Sequence, residues 1–195
     1  MKSPLIEQEI QRLETYNKKG ESYANANGSF GWRNPIRQDT GKILESLVIS
    51  ARPKRILEFG TAHGLSALYL VLGLNPDDGG FIDTVEFDTA VANDSQERFD
   101  TLTVPIRVHA LDAQEAISGL TGTYDMVFFD AQKSHYLPQL LALLEKKLAG
   151  PGTVLLADNV IDRESECRDF LDWFVANNVN HTIIPTECGL LVARL

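Results

Sequence analysis

Ile56-Leu57-Glu58-Phe59-Gly60-Thr61-Ala62-His63-Gly64-Leu65-Ser66 passes from a short apolar run through a glycine-rich turn into a segment with helical spacing. A strand that feeds a helix in this way is the opening unit of an α/β fold, and the glycines decide what the turn can hold. Gly60 and Gly64 let the backbone approach a ligand closely, and a helix starting at Leu65 presents amides that have no partner inside the helix. A dinucleotide-binding turn carries G-x-G-x-x-G, whose extra glycine admits a pyrophosphate. The G-x-x-x-G found here suits phosphate less well. Taken alone, it is equally compatible with a plain tight turn.

Downstream, short apolar runs alternate with helix-like segments. After Arg55 to Glu58 come Phe81 to Val85, Ile106 to His109, Met126 to Phe129 and Thr153 to Ala157. Such alternation predicts a mostly parallel sheet wound on both faces by helices. The end of the chain departs from it. After helix-like Glu164 to Asn177, the runs His181 to Ile184 and Gly189 to Arg194 are separated by four residues only, which suits an antiparallel hairpin and cannot hold a crossover helix. Upstream, Leu5, Ile6, Ile10 and Leu13 have helical spacing, and Gly20 to Ser29 reads as a loop. Asp39 is placed to cap a helix over Thr40 to Ala51, stopped by Pro53. The expected organisation is an N-terminal helix and loop over 1–38 and one compact domain over 39–195.

Bulk properties set the limits. A chain of 195 residues, 44% hydrophobic, buries one sizeable core. No apolar run approaches the roughly 20 residues of a membrane span, and Met1 to Gly20 lacks a signal-peptide core. We therefore expect a soluble, cytoplasmic protein with no membrane partner. Cys167 and Cys188 cannot build a disulfide framework and read as reduced, partly buried thiols. The net charge of −9 repels phosphate backbones and disfavours nucleic-acid partners.

In an open α/β sheet, ligands bind beyond the carboxyl ends of the strands. Those ends carry Glu58 to Ser66, Glu86, Asp112, Asp130 to Lys133, and Asp158 with Asn159. An acidic residue such as Glu86, ending the second strand, can accept hydrogen bonds from both hydroxyls of a ribose, which turns the glycine motif toward nucleoside binding. Asp112, ending the third, is placed to meet the base, though alone it fits a helix N-cap as well. Asp130 and Asp158-Asn159 end two further strands. If those strands are neighbours, about 4.8 Å apart, their side chains can share a cation at about 2.0–2.6 Å. Three oxygen ligands favour Mg²⁺, Mn²⁺ or Ca²⁺ over zinc. Either aspartate alone fits a cap equally well. Lys133, three residues beyond Asp130, is a candidate base for a substrate hydroxyl or an ordinary surface lysine. His135 and Tyr136 fit substrate contact or packing.

These residues carry a family likeness. Glu58-Phe-Gly-Thr-Ala-His-Gly-Leu-Ser66 and Glu86, with Tyr124-Asp-Met-Val-Phe-Phe-Asp-Ala-Gln-Lys-Ser-His-Tyr136 and Ala157-Asp-Asn159, resemble the cation-dependent O-methyltransferases of the caffeoyl-CoA and catechol type. The likeness runs from about Asp39 to Leu195, and its specific part is Asp-Ala-x-Lys-x-x-Tyr paired with Asp-Asn. It implies a seven-stranded class I methyltransferase fold whose last two strands are the hairpin. It implies S-adenosylmethionine as the nucleoside ligand, with Gly60, Gly64 and Ser66 at its amino-acid end, Glu86 at the ribose, and Asp112 with Ala113 facing the adenine. Glu58 and Asp130 are counted among the cofactor-binding positions. Asp130, Asp158 and Asn159 match the family's metal ligands, and Lys133 its general base.

The implied reaction methylates a hydroxyl of a small catechol-like or vicinal-diol acceptor, in an enzyme that the family suggests is a homodimer. Methylation of a hydroxylated tRNA nucleoside, a nicotinamide-binding oxidoreductase and a non-catalytic nucleoside-binding domain are the competing readings. Two departures stand out. Leu111 precedes Asp112 where the family usually has glycine, and only Val160, Ile161 and Asp162 separate Asn159 from the next helix-like segment, where members often insert a covering loop. Asn27 to Gln38, with Phe30, Trp32 and Arg33, is the alternative cover.

Overall fold

A computed structural model of the chain describes residues 4–19 and 35–195. Helix α1 (Pro4–Lys19) precedes α2 (Gln38–Ala51), and the alternating part then runs β1 (Arg55–Phe59), α3 (Leu65–Gly73), β2 (Phe81–Val85), α4 (Thr89–Leu102), β3 (Ile106–His109), α5 (Ala113–Gly119), β4 (Met126–Phe129), α6 (Tyr136–Glu145) and β5 (Val154–Ala157). The chain closes with α7 (Arg168–Ala176), β6 (His181–Ile184) and β7 (Leu190–Arg194). The seven strands form one sheet in the order β3-β2-β1-β4-β5-β7-β6. The first five are parallel, and β7 runs antiparallel to both β5 and β6.

Alternation along each strand divides the core into two layers. Leu57, Phe59, Val127, Phe129 and Leu155 pack under α5, α6 and α7, where Phe129, Tyr136, Phe170 and Phe174 form a chain of aromatic contacts 5.0–5.6 Å apart. Ile56, Ile82, Met126, Phe128 and Leu156 pack on the other face against α1 to α4, through Ile10, Leu44, Leu68 and Phe99. Helix α1 is thus part of the core rather than an appendage. Tyr69 of α3 donates a short hydrogen bond to Glu14, and Arg98 of α4 pairs with Glu9 at 2.9 Å.

Two local expectations are corrected. Asp39 does not cap α2. Arg37 occupies the N-cap with no side-chain bond, while Asp39 lies in the first turn and accepts from the Thr40 amide at 2.8 Å. The segment expected to be one helix from Glu164 to Asn177 is a 3₁₀ turn, Glu164–Glu166, followed by α7. They are separated by Cys167, whose buried thiol donates to the Arg163 carbonyl at 3.5 Å. Asp112 does act as the N-cap of α5, with Oδ1 accepting from the Gln114 amide at 2.8 Å. Among the described residues no helix is long and apolar enough to cross a membrane.

Candidate active site

The parallel register brings the carboxyl ends of β1, β2, β4 and β5 to one edge. Gly60 continues the ladder by donating to the Val85 carbonyl at 3.0 Å, Asp130 by donating to Phe59 at 2.9 Å, and Asp158 by donating to Phe129 at 3.1 Å. Since Phe129 is in register with Ala157, Asp130 and Asp158 are the next residues on neighbouring strands, the adjacency that a shared ligand requires. Above this edge lies a cavity of about 580 Å³.

Gly60, Ser66, Glu86, Asp112, Ala113 and Asp130 line that cavity. Gly60 adopts φ +101°, and a Cβ there would meet the Asp130 carbonyl oxygen at 2.5 Å, so the turn and the end of β4 touch through a hydrogen atom only. Gly64 does not line the cavity. It is the left-handed N-cap of α3, where a Cβ would strike the Phe99 ring at 2.5 Å, and α3 begins without a side-chain cap. Its first amides and the positive end of its dipole therefore point at the turn. The buried Glu86 carboxylate accepts from the Ala62 amide at 3.0 Å through Oε2 and from the Asp88 amide at 3.1 Å through Oε1.

Glu58 lies beneath the turn, fully buried, not in the cavity wall. Thr84 donates to its Oε2 at 2.5 Å, and Thr61 shares a 2.6 Å hydrogen bond with Thr84, so a hydroxyl chain ties the turn to β2. Glu58 Oε1 has no hydrogen-bond partner. Burial pushes its carboxyl from an ordinary 4.5 up to about 7, against the pull of Ser66 and Thr84 and with a smaller push from Glu86. A carboxyl raised in the fold is protonated there while the unfolded chain ionises. Its contribution is thus favourable below about 4.5 and lost as pH rises through 7. We expect Glu58→Gln to melt about 5 °C or more above the parent at pH 8, a gain of roughly 2–3 kcal/mol. In thermal melts across pH, that advantage should vanish near pH 4.5; one that persists there contradicts the assignment.

The metal-ligand candidates occupy the other side of the edge. Asp158 is 2% exposed and its Oδ1 lacks any hydrogen-bond partner. Burial first, and Asp130 second, push its carboxyl up to about 7. Asp130, raised to about 6 chiefly by burial, accepts from Lys133 Nζ at 3.1 Å. Lys133 lies in a 3₁₀ turn, Lys133–His135, is mostly buried, and donates also to the Ala131 carbonyl at 3.0 Å. Asn159 takes the left-handed conformation at φ 65°, a strained choice that turns the chain at the strand end. With Asp130, Lys133, Arg163 and Glu166 it lines a second space of about 260 Å³. Among the described residues no group of three or more His, Cys, Asp or Glu side chains is placed to hold a metal ion, and this set comprises two carboxylates and one amide.

Tyr136 is a packing residue, fully buried, whose hydroxyl donates to the Asp158 backbone carbonyl at 3.2 Å. His135 lines the large cavity, as do Pro35 and Ile36 from the segment expected to cover it. Phe30, Trp32 and Arg33 lie outside the described residues. Sequence reasoning passed over Thr84 and Gln139. Gln139 had a visible signal: a carboxamide on the inward stripe of α6, three residues from Tyr136 and four from Leu143.

A family model for a methyltransferase domain matches residues 57–160. The catechol O-methyltransferase of Sus scrofa is 37% identical over 133 residues, 65% of this chain and 70% of that protein. The Mus musculus catechol O-methyltransferase is 35% identical over 137 residues, 67% of this chain and 51% of that protein. The chain thus spans about half the length of the first curated relatives it matches. Among solved structures, an O-methyltransferase from Bacillus cereus in complex with SAH superposes with a TM-score of 0.75 at 26% identity, covering 100% of this chain and 92% of that one.

Proposed function

The chain belongs to the class I S-adenosylmethionine O-methyltransferases of the catechol and caffeoyl-CoA type, and from that premise we propose that it methylates one hydroxyl of a small vicinal-diol acceptor with the help of a divalent cation. The observation that carries the cation is the unpartnered, buried Asp158 Oδ1 beside a second, mostly buried carboxylate, Asp130. Two acids held up at about 7 and about 6 on adjacent strands are poorly served by Lys133 alone. Asp130, Asp158 and Asn159 form an oxygen-donor set suited to Mg²⁺ or Mn²⁺. A cation bound there supplies Lewis acidity that makes an acceptor hydroxyl easier to ionise.

The remaining work falls to the chain's own groups. The turn at Gly60 and the start of α3 hold the amino-acid end of the methyl donor, and Glu86 accepts from its ribose hydroxyls. Lys133 Nζ, held against Asp130, takes the hydroxyl proton as the O–CH₃ bond forms and the S–CH₃ bond breaks. Pro35 and Ile36 help exclude water from one wall. Orienting two reactants in one cavity is a major contribution to the catalysis.

Incubation with S-adenosylmethionine, Mg²⁺ and 3,4-dihydroxybenzoate should give a monomethyl ether detectable by mass spectrometry. Lys133→Met should lower kcat about 10²–10⁴-fold with little change in donor binding. Full activity of that variant would remove Lys133 from the reaction.

A further inference from the structure

One polar group at the wall of the large cavity plays no part in the chemistry above. Gln139 projects from the end of the first turn of α6, is 1% exposed, and has a side-chain Oε1 with no hydrogen-bond partner. It stands where α6 otherwise presents Tyr136, Leu140 and Leu143 to the core. A leucine would fill such a position without leaving a buried acceptor unpaired. The same cavity is lined by Leu111, Asp112, Ala113 and His135. Asp112, the residue expected to meet the base, already commits Oδ1 to capping α5. Asp112 and Ala113, at the start of α5, are the positions expected at the base, and α6, which carries Gln139, packs against α5.

We propose that Gln139 reads the nucleobase, its carboxamide pairing with the exocyclic amino group and an adjacent ring nitrogen of adenine. One donor beside one acceptor is the pattern a glutamine side chain complements with two hydrogen bonds. A site built on such a pair penalises a base lacking the amino group, because the amide oxygen then stays buried and unpaired. Gln139 is therefore a specificity residue for the cosubstrate, acting on binding and not on the transferred methyl. The inference rests on the S-adenosylmethionine reading.

Calorimetric titration with S-adenosylhomocysteine and with its analogue carrying purine in place of adenine separates the two. The parent protein should bind the adenine ligand about 10–100-fold more tightly than the purine ligand. Gln139→Met, close in volume and apolar, should bring the two affinities within about threefold and raise KM for the donor while leaving kcat within threefold. Gln139→Glu, for use if the methionine variant does not fold, keeps the acceptor and loses the donor. It should bind both ligands more weakly yet still prefer adenine. Undiminished discrimination in Gln139→Met, an equal loss for both ligands, or unchanged affinities in Gln139→Glu would make Gln139 a packing residue and overturn the proposal. Failure of the parent protein to bind S-adenosylhomocysteine at all would overturn the cofactor reading with it.

Discussion

Asp158→Asn should lower methyl transfer about 10³-fold while S-adenosylhomocysteine binds within threefold of the parent, because the several kcal/mol supplied by a cation act on the acceptor oxygen and not on the donor. Stability distinguishes this loss from misfolding. Burial, and then the Asp130 carboxylate, hold the Asp158 carboxyl at about 7, far above an ordinary 3.8, so its ionised form disfavours the fold as pH rises through 7. Without added metal, the asparagine variant should therefore melt at or above the parent temperature at pH 8. The parent should gain stability from millimolar Mg²⁺ at pH 8, by mass action on the folded state, and the variant should gain little. A variant that is inactive but also melts well below the parent would indicate a structural role.

The second large effect is expected at Gly60. Gly60→Val places a β-branched side chain at φ +101°, with its Cβ 2.5 Å from the Asp130 carbonyl oxygen and 2.8 Å from the carbonyl carbon. Both neighbours are backbone, so either the turn or the end of β4 must move. The conformational strain alone is worth about 1–3 kcal/mol, or roughly 3–10 °C of melting temperature in a chain of this size. The consequence for binding is larger, since the turn holds the donor and β4 carries Asp130. S-adenosylhomocysteine affinity should fall at least about 100-fold by calorimetry. Gly150→Ala, where an added Cβ meets nothing within 4 Å, is the control and should change neither quantity. Retention of tight binding by Gly60→Val would mean that the ligand does not sit against this turn.

The sheet was legible because its central strands β1, β2, β4 and β5 are buried on both faces and so read as largely apolar runs. Phe81 to Val85, Ile106 to His109, Met126 to Phe129 and His181 to Ile184 have the boundaries the pattern suggests. The short link before Gly189 likewise announced the antiparallel end. That β7 lies between β5 and β6 was not legible, since strand order depends on contacts between distant segments. Capping was harder to read. Asp39 and Asp112 look alike beside a helical pattern, yet only the second caps, because the first is already inside the helix. The interruption at Cys167 reflects a local turn that periodicity does not register.

The same division holds at the active edge. Residues at strand ends could be located because topology alone brings strand ends together, which is how Gly60, Glu86, Asp130 and Asp158 emerged. What each side chain does there depends on burial. Glu58 belongs to the glycine motif but sits under it, bonded to Thr84, and Gly64 serves the packing of Phe99 against α3. Gln139 lies outside every strand end and inside a helix stripe, so only the enclosure of its amide gives it away.

The claim that a divalent cation at Asp130, Asp158 and Asn159 activates the acceptor is tested most directly by one assay. Transfer of a labelled methyl group from S-adenosylmethionine to 3,4-dihydroxybenzoate is followed after exhaustive chelation and again after Mg²⁺ or Mn²⁺ is restored. Transfer should fall to background on chelation and return in full with the metal. Undiminished transfer by the chelated protein would contradict the account.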